Sequence, residues 1–222
     1  FYNFSRNENS QTELHKEFPK IPYQILGNVE DRVSVYNAFE KVKPDIVIHA
    51  AAVKHIDLAE RQPIHTCRVN LVGSLNIIDA AIRNNTPNVI AISTDKACDP
   101  DSVYGYTKCM MEKMFMEHHN EKTKFVCTRF ANVANSNGSV IPFWKNLKNQ
   151  GKPLKLTDPN MNRLMFTQND AAKLINRTIK YTEANGGGFI ASYKMKCVNM
   201  LDLAKVISDE VEIMGKRPGE KT

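Results

Sequence analysis

No run of about 18 apolar residues occurs in the sequence, so no segment has the length to cross a bilayer as a helix. The five cysteines, Cys67, Cys98, Cys109, Cys127 and Cys197, show no C-x-x-C spacing. That argues against a zinc site or a disulfide framework and points to a reducing, cytoplasmic compartment. No block of lysines is interleaved with aromatics, so the net charge of +6 suits an anionic small molecule such as a nucleotide better than nucleic acid. A glycine-rich G-x-x-G-x-x-G turn, which cradles phosphates through backbone N–H groups, is also missing. What is present, 222 residues of which 42% are hydrophobic and 24% charged, can bury a core of α/β type.

The organising stretch is Ala91-Ile-Ser-Thr-Asp-Lys-Ala97 followed by Tyr104-Gly-Tyr-Thr-Lys108. The apolar run Asn88-Val-Ile-Ala-Ile92 reads as a strand that delivers Thr94, Asp95 and Lys96 to its end. A helical pattern then places Tyr104 and Lys108 four residues apart, on one face. An ammonium one turn from a phenol favours the phenolate, so the Tyr104 pKa is expected below its reference value of about 10. The pair outlines an acid/base site.

A Ser-Thr step at a strand end, two ionisable residues after it, and Tyr and Lys on the next helix resemble the active site of the extended short-chain dehydrogenase/reductases. Within them, Ser93-Thr-Asp-Lys-Ala97 with Tyr104 downstream is similar to the UDP-N-acetylhexosamine 4,6-dehydratases of polysaccharide biosynthesis. The resemblance implies a Rossmann-like, doubly wound parallel sheet over residues 1–145. A smaller, interleaved sugar-nucleotide-binding part follows over 146–222. In such a fold Phe1-Tyr-Asn-Phe4 ends the second strand, so the first strand and its glycine-rich turn are expected before residue 1.

The cofactor implied is NADP. An acidic residue after the second strand would bond the ribose 2′-hydroxyl of NAD, whereas Ser5 and Arg6 stand there, and an Arg accommodates a 2′-phosphate. Asn28 and Val29 occupy the family's adenine-side Asp-Val, with Asn in place of Asp. His49, Ala50, Ala51 and Ala52 match the segment that lines the cofactor, and Lys108 is shared between cofactor and catalysis. For the UDP-sugar the candidates are Lys54, Asn132, Arg163 and Arg217, arginine being suited to bidentate diphosphate recognition. The family's second Arg after Asn132 is Asn137 here.

Pro63 to Asn84 reads as one long helix, with Asn70 and Asn76 in structural roles and Gly73 in its interior. An interior glycine costs about 1 kcal/mol relative to alanine, so a close-packing reason is expected. Met110, Met111 and Met114 stripe the Tyr104 helix, which in the superfamily meets its copy, so a homo-oligomer is the expected assembly.

The activity implied is dehydration of a UDP-N-acetylhexosamine to a 4-keto-6-deoxy sugar, with Thr94, Tyr104 and Lys108 serving C4 oxidation, Lys96 as base and Asp95 as acid. Two readings compete: a UDP-sugar 4-epimerase, which has no need of the Asp95-Lys96 pair, and a non-catalytic sugar-nucleotide-binding protein, which has no need of Tyr104 and Lys108.

Overall fold

The structure, a computed structural model, describes residues 1–20, 23–136 and 138–215. It begins with two parallel strands, β1 (Tyr2–Ser5) and β2 (Tyr23–Leu26), connected through α1 (Glu8–Glu17). The helix α2 (Arg32–Val42) starts where Asp31 accepts a hydrogen bond from the Val33 N–H and ends at Lys43 in the left-handed conformation (φ 47°). After β3 (Ile46–His49) come α3 (Ile56–Arg61) and α4 (Pro63–Cys67), with proline in the first helical turn, where its missing N–H is harmless.

The expected single helix from Pro63 to Asn84 is interrupted. Residues 68–72 form a π-helical turn, closed by a hydrogen bond from the Gly73 N–H to the Arg68 carbonyl, before α5 (Gly73–Arg83) resumes. The wider turn carries Asn70, which is 1% exposed and bonded to groups on two other segments. Gly73 has the close-packing reason that the sequence suggested: a Cβ there would lie 2.8 Å from Val29 Cγ2.

The next strand, β4 (Asn88–Thr94), is buried along nearly its whole length, which explains a continuous apolar run instead of alternation. A 3₁₀ turn over Asp95–Ala97 leads to α6 (Val103–Glu117), then β5 (Lys124–Phe130) and the short β6 (Asn132–Val133). The remainder consists of α7 (Val140–Asn149), β7 (Leu154–Leu156), β8 (Asn162–Phe166), α8 (Gln168–Asn185), β9 (Phe189–Ala191), β10 (Lys196–Asn199), α9 (Met200–Ile207) and β11 (Val211–Ile213).

Four strands form a parallel sheet in the order β3-β4-β5-β9, as the right-handed crossover logic of an α/β chain leads one to expect. One face is covered by α2, α5 and α6, whose core includes Val35, Phe39, Ile78, Met111 and Phe115; α8 packs against β4 and β5. The β1-β2 pair is a separate two-stranded sheet, yet Phe4 packs on the same core as Val47 of β3. Neither β1 nor β3 has a partner on its other edge among the described residues, and Ile46 and Ile48 of β3 are exposed.

A second core gathers Trp144, Leu147, Leu154, Leu156, Met200 and Ala204 from α7, β7 and α9, with Met161 from the turn before β8. The mixed strands β10-β8-β6 and the parallel pair β11-β7 flank it. Residue 145 lies inside α7, and β9 returns to the main sheet, so the two cores are interleaved along the chain.

Candidate active site

Open α/β sheets bind ligands beyond the carboxyl ends of their strands, and the organising stretch sits there. Thr94 is the last residue of β4. Its hydroxyl donates to Asp95 Oδ1 at 2.9 Å and, from the other side, accepts from the Lys96 N–H at 3.4 Å. Lys96 Nζ donates to the same Asp95 Oδ1 at 3.1 Å, forming the ion pair that adjacency in the sequence suggests.

Helix α6 is fixed against this turn from three directions. Ser102 caps it by accepting from the Gly105 N–H, and Glu60 of α3 accepts from the Val103 N–H at 2.7 Å. Gly105 allows close approach, because a Cβ would lie 2.8 Å from the Lys96 carbonyl oxygen and 3.2 Å from Pro100 Cβ. Asn70 supplies the third tie: its Oδ1 accepts from the Val53 N–H, and its Nδ2 donates to the Val53 carbonyl and to Thr107 Oγ1. Thr107 in turn donates to the Tyr104 carbonyl. Asn76 donates to the Val29 carbonyl, so both asparagines have the structural roles expected of them.

The Tyr104 phenol lies beside the Thr94 hydroxyl, but its pKa is not lowered. Burial pushes the phenol up to about 12, a rise that the Thr94 hydroxyl opposes and the Asp95 charge reinforces. This corrects the expectation that Lys108 depresses it. The Lys108 ammonium, 2% exposed, instead donates to the Ile92 carbonyl at 2.8 Å and approaches the Met111 sulfur at 3.5 Å. Burial brings Lys108 down to about 8, with Cys127 and Glu112 opposing.

One pocket of about 810 Å³ collects Thr94, Lys96, Tyr104 and Lys108 with Ala50, Ala52, Lys54, Asn132 and Arg163. That volume suits a ligand of cofactor or nucleotide size. Asn132 uses its amide to hold the Leu164 carbonyl at 2.8 Å, and the Arg163 guanidinium donates to the Asn162 carbonyl.

The other expected residues lie elsewhere. Ala51 packs on Val29, Val53, Ala59 and Val69, a cluster that Tyr104 also touches. Asn28 is bonded to Glu30, Ser5 accepts from the Asn7 N–H, and Arg6 is exposed at the turn after β1. The His49 side chain is a core group, while its neighbours Ala50 and Ala52 line the pocket. It is 3% exposed, stacks on Phe115 at 6.1 Å, and its Nε2 is 3.0 Å from the Ser74 hydroxyl. Ser74 donates its proton to the Asn70 carbonyl, so His49 Nε2 is the donor between them. Burial lowers the His49 pKa to about 3 and keeps the ring neutral. Arg217 and Asn137 lie outside the described residues.

His55, which follows Lys54 toward the substrate region, touches Gly138 across the pocket, within 2.9 Å of where a Cβ would stand. Sequence reasoning missed two features. Lys155 of β7 lines the pocket, its carbonyl held by the buried Trp144 indole N–H at 2.8 Å. Behind Thr94 lies a Ser93–Glu112–Arg129 network in which Ser93 and Glu112 are buried and Arg129 is half-buried. Lys155 and Arg129 carry no local pattern that could have marked them; Glu112, one turn beyond Lys108, was open to the same spacing argument as Lys108 itself.

The sequence matches the polysaccharide biosynthesis protein family over residues 1–222. The chain belongs to this family. It is 37% identical to a UDP-N-acetylglucosamine 4,6-dehydratase (inverting) of Campylobacter jejuni, covering 98% of this chain and 66% of that one. It is 35% identical to a UDP-glucose 4-epimerase of Rickettsia canadensis, again over 98% and 66% of the two chains. The chain thus spans just under two thirds of the length of each. A solved dTDP-glucose 4,6-dehydratase of Streptomyces venezuelae, with NAD bound, shares the fold at a TM-score of 0.83 and 17% identity, over 99% of this chain and 76% of that one. No helix among the described residues is long and apolar enough to cross a membrane.

Proposed function

We propose that the protein acts on a UDP-N-acetylhexosamine as an NADP-dependent 4,6-dehydratase. The carrying observation is that Lys96, ion-paired to Asp95, shares one pocket with Thr94, Tyr104 and Lys108. An epimerase uses the last three; the elimination of water needs the first two.

The residues fit the reacting end of a nicotinamide cofactor: Ala50 and Ala52 present small walls beside Thr94 and Tyr104, where a flat ring can reach the backbone. A nicotinamide held there would supply the hydride chemistry, out of sugar C4 and back to C6. Tyr104, beside Thr94 and with Lys108 one turn along the same helix, would take the 4-hydroxyl proton as its phenolate, a form that the positive charge of an oxidised nicotinamide beside it would favour against burial. Proton transfer from Lys96 to Asp95 across their 3.1 Å contact yields a free amine and a neutral acid. The amine then takes the C5 proton and the acid protonates the departing C6 oxygen, which leaves as water and restores the ion pair. Arg6 supports NADP over NAD, and Arg163 and Lys155 are the proposed cations for the diphosphate.

The test is incubation of the full-length protein with UDP-N-acetylglucosamine and NADP, reading product mass. Loss of one water supports the reading, an isomer of unchanged mass supports the epimerase, and an unaltered sugar supports a binding protein. Lys96→Ala should still reduce the cofactor yet lower product formation about 10²- to 10⁴-fold. Dehydration at the normal rate in that variant would remove Lys96 from the mechanism.

A further inference from the structure

Glu112 lies one helical turn beyond Lys108 and is 2% exposed. Its Oε1 accepts from the Ser93 hydroxyl at 2.6 Å and from Arg129 Nε at 2.8 Å, while Oε2 accepts from Arg129 Nη2 at 2.7 Å. Ser93 immediately precedes Thr94, and Arg129 is its register partner on β5. We propose that the Glu112–Arg129 pair, acting through Ser93, is a positioning device that sets the spacing between the strand end bearing Thr94, Asp95 and Lys96 and the helix bearing Tyr104 and Lys108. The inference rests on the catalytic reading of those residues given above.

Three points carry it. Glu112 is buried and Arg129 half-buried, and an ion pair that takes a carboxylate out of water is a poor source of net stability, because apolar residues of similar volume in its place are often neutral or stabilising. The apolar contacts of α6, through Met111 and Phe115, hold the helix on the sheet but are not directional. The bidentate pair is directional, and its third bond goes to the residue beside Thr94. The Glu112 charge also supports the Lys108 ammonium against burial, as does Cys127 of β5; His49 of β3 is the other titratable group coupled to that ammonium.

The experiment compares the full-length protein with Ser93→Ala and with the paired variant Glu112→Leu, Arg129→Leu, all checked for folding by thermal melting. A displacement of about 1 Å at a reacting group can lower a rate about 10²-fold. The paired variant should therefore melt near the wild-type temperature, lose about 10²-fold in kcat and keep KM within a few-fold. Ser93→Ala, which removes only the small linking hydroxyl, should lose about tenfold in kcat while remaining folded even if the paired variant is not. In Glu112→Gln, which retains an acceptor for Ser93, the pH profile should shift to lower pH as Lys108 loses its neighbouring charge; a purely structural role leaves that profile in place. Normal kcat in folded Ser93→Ala and paired variants overturns the proposal. An activity-independent readout separates it from the dehydratase reading: crystal structures of the wild type and of Ser93→Ala should differ in the separation of the Thr94 and Tyr104 hydroxyls, which widens in the variant. An unchanged separation overturns the positioning role even in a protein that dehydrates nothing.

Discussion

Replacing Lys108 by Met should stabilise the protein at neutral pH while abolishing its chemistry. Lys108 is 2% exposed, and burial brings its pKa from 10.5 to about 8. At about 1.36 kcal/mol per pH unit, that difference means that the folded protein holds the charge at a penalty of ~3 kcal/mol. Methionine retains the unbranched stem and suits the contact with Met111. It forfeits the hydrogen bond to the Ile92 carbonyl, which offsets ~1–2 kcal/mol. The expected net gain at pH 7 is ~1–2 kcal/mol.

The pH dependence gives the argument its second check. Below about pH 8 both folded and unfolded wild-type chains carry the proton, so the penalty is fully present. Between pH 8 and 10.5 the unfolded chain binds more protons at this site than the folded one, and wild-type stability rises relative to the variant. The advantage of Lys108→Met should therefore be largest at pH 7 and fade toward pH 10.5. Urea denaturation of both proteins at pH 7 and pH 10 measures it. A variant less stable at pH 7, or a gap that stays constant with pH, would refute the assignment of Lys108 as a buried, desolvated ammonium.

Gly73→Ala places a Cβ 2.8 Å from Val29 Cγ2, so it should destabilise by ~1–3 kcal/mol despite the better helix propensity; a more stable variant in urea would contradict that packing. Lys155 makes no ion pair among the described residues, even with Glu212, its register partner on β11. Lys155→Ala should raise KM for the UDP-sugar about tenfold with little change in kcat, consistent with loss of one charge-assisted contact; an unchanged KM removes Lys155 from the phosphate site. Arg6→Ala should narrow the preference for NADP over NAD measured by binding calorimetry, and equal affinities in the unaltered protein would end the NADP assignment.

The parts of the fold that could be read from sequence were those in which local pattern and tertiary role agree. The run ending in Thr94 is apolar because it is covered on both faces, and Tyr104 and Lys108 are four apart because one helix face meets the strand end. Asn70 and Gly73 gave themselves away as misfits within a helical pattern, though not the π turn that turns Asn70 inward. His49 places its side chain in the core although its neighbours Ala50 and Ala52 line the pocket. Strand alternation puts Val47 and His49 on the core face, and that period of two outweighs proximity in the sequence. Arg129 was silent because its role depends on register with a segment 17 residues away, and Lys155 because it meets Thr94 and Asn132 only through the packing of separate strands, which no local spacing records.

The inner face of α6 also explains why such a site is not simply a stable core. Its core-facing side interleaves Met111 and Phe115 with Thr107, Lys108 and Glu112, all of them buried. Each polar group there has a specific partner: Asn70 for Thr107, the Ile92 carbonyl for Lys108, and Ser93 and Arg129 for Glu112. Substituting apolar residues at Lys108 or at the Glu112–Arg129 pair would relieve desolvation without opening a cavity, so selection for stability alone favours their loss. The retention of Lys108 and Glu112 in buried positions is therefore an argument for chemistry at Tyr104, independent of the resemblance to other proteins. Among these positions, the ones whose apolar replacement keeps or raises stability while kcat falls are the ones the reaction requires.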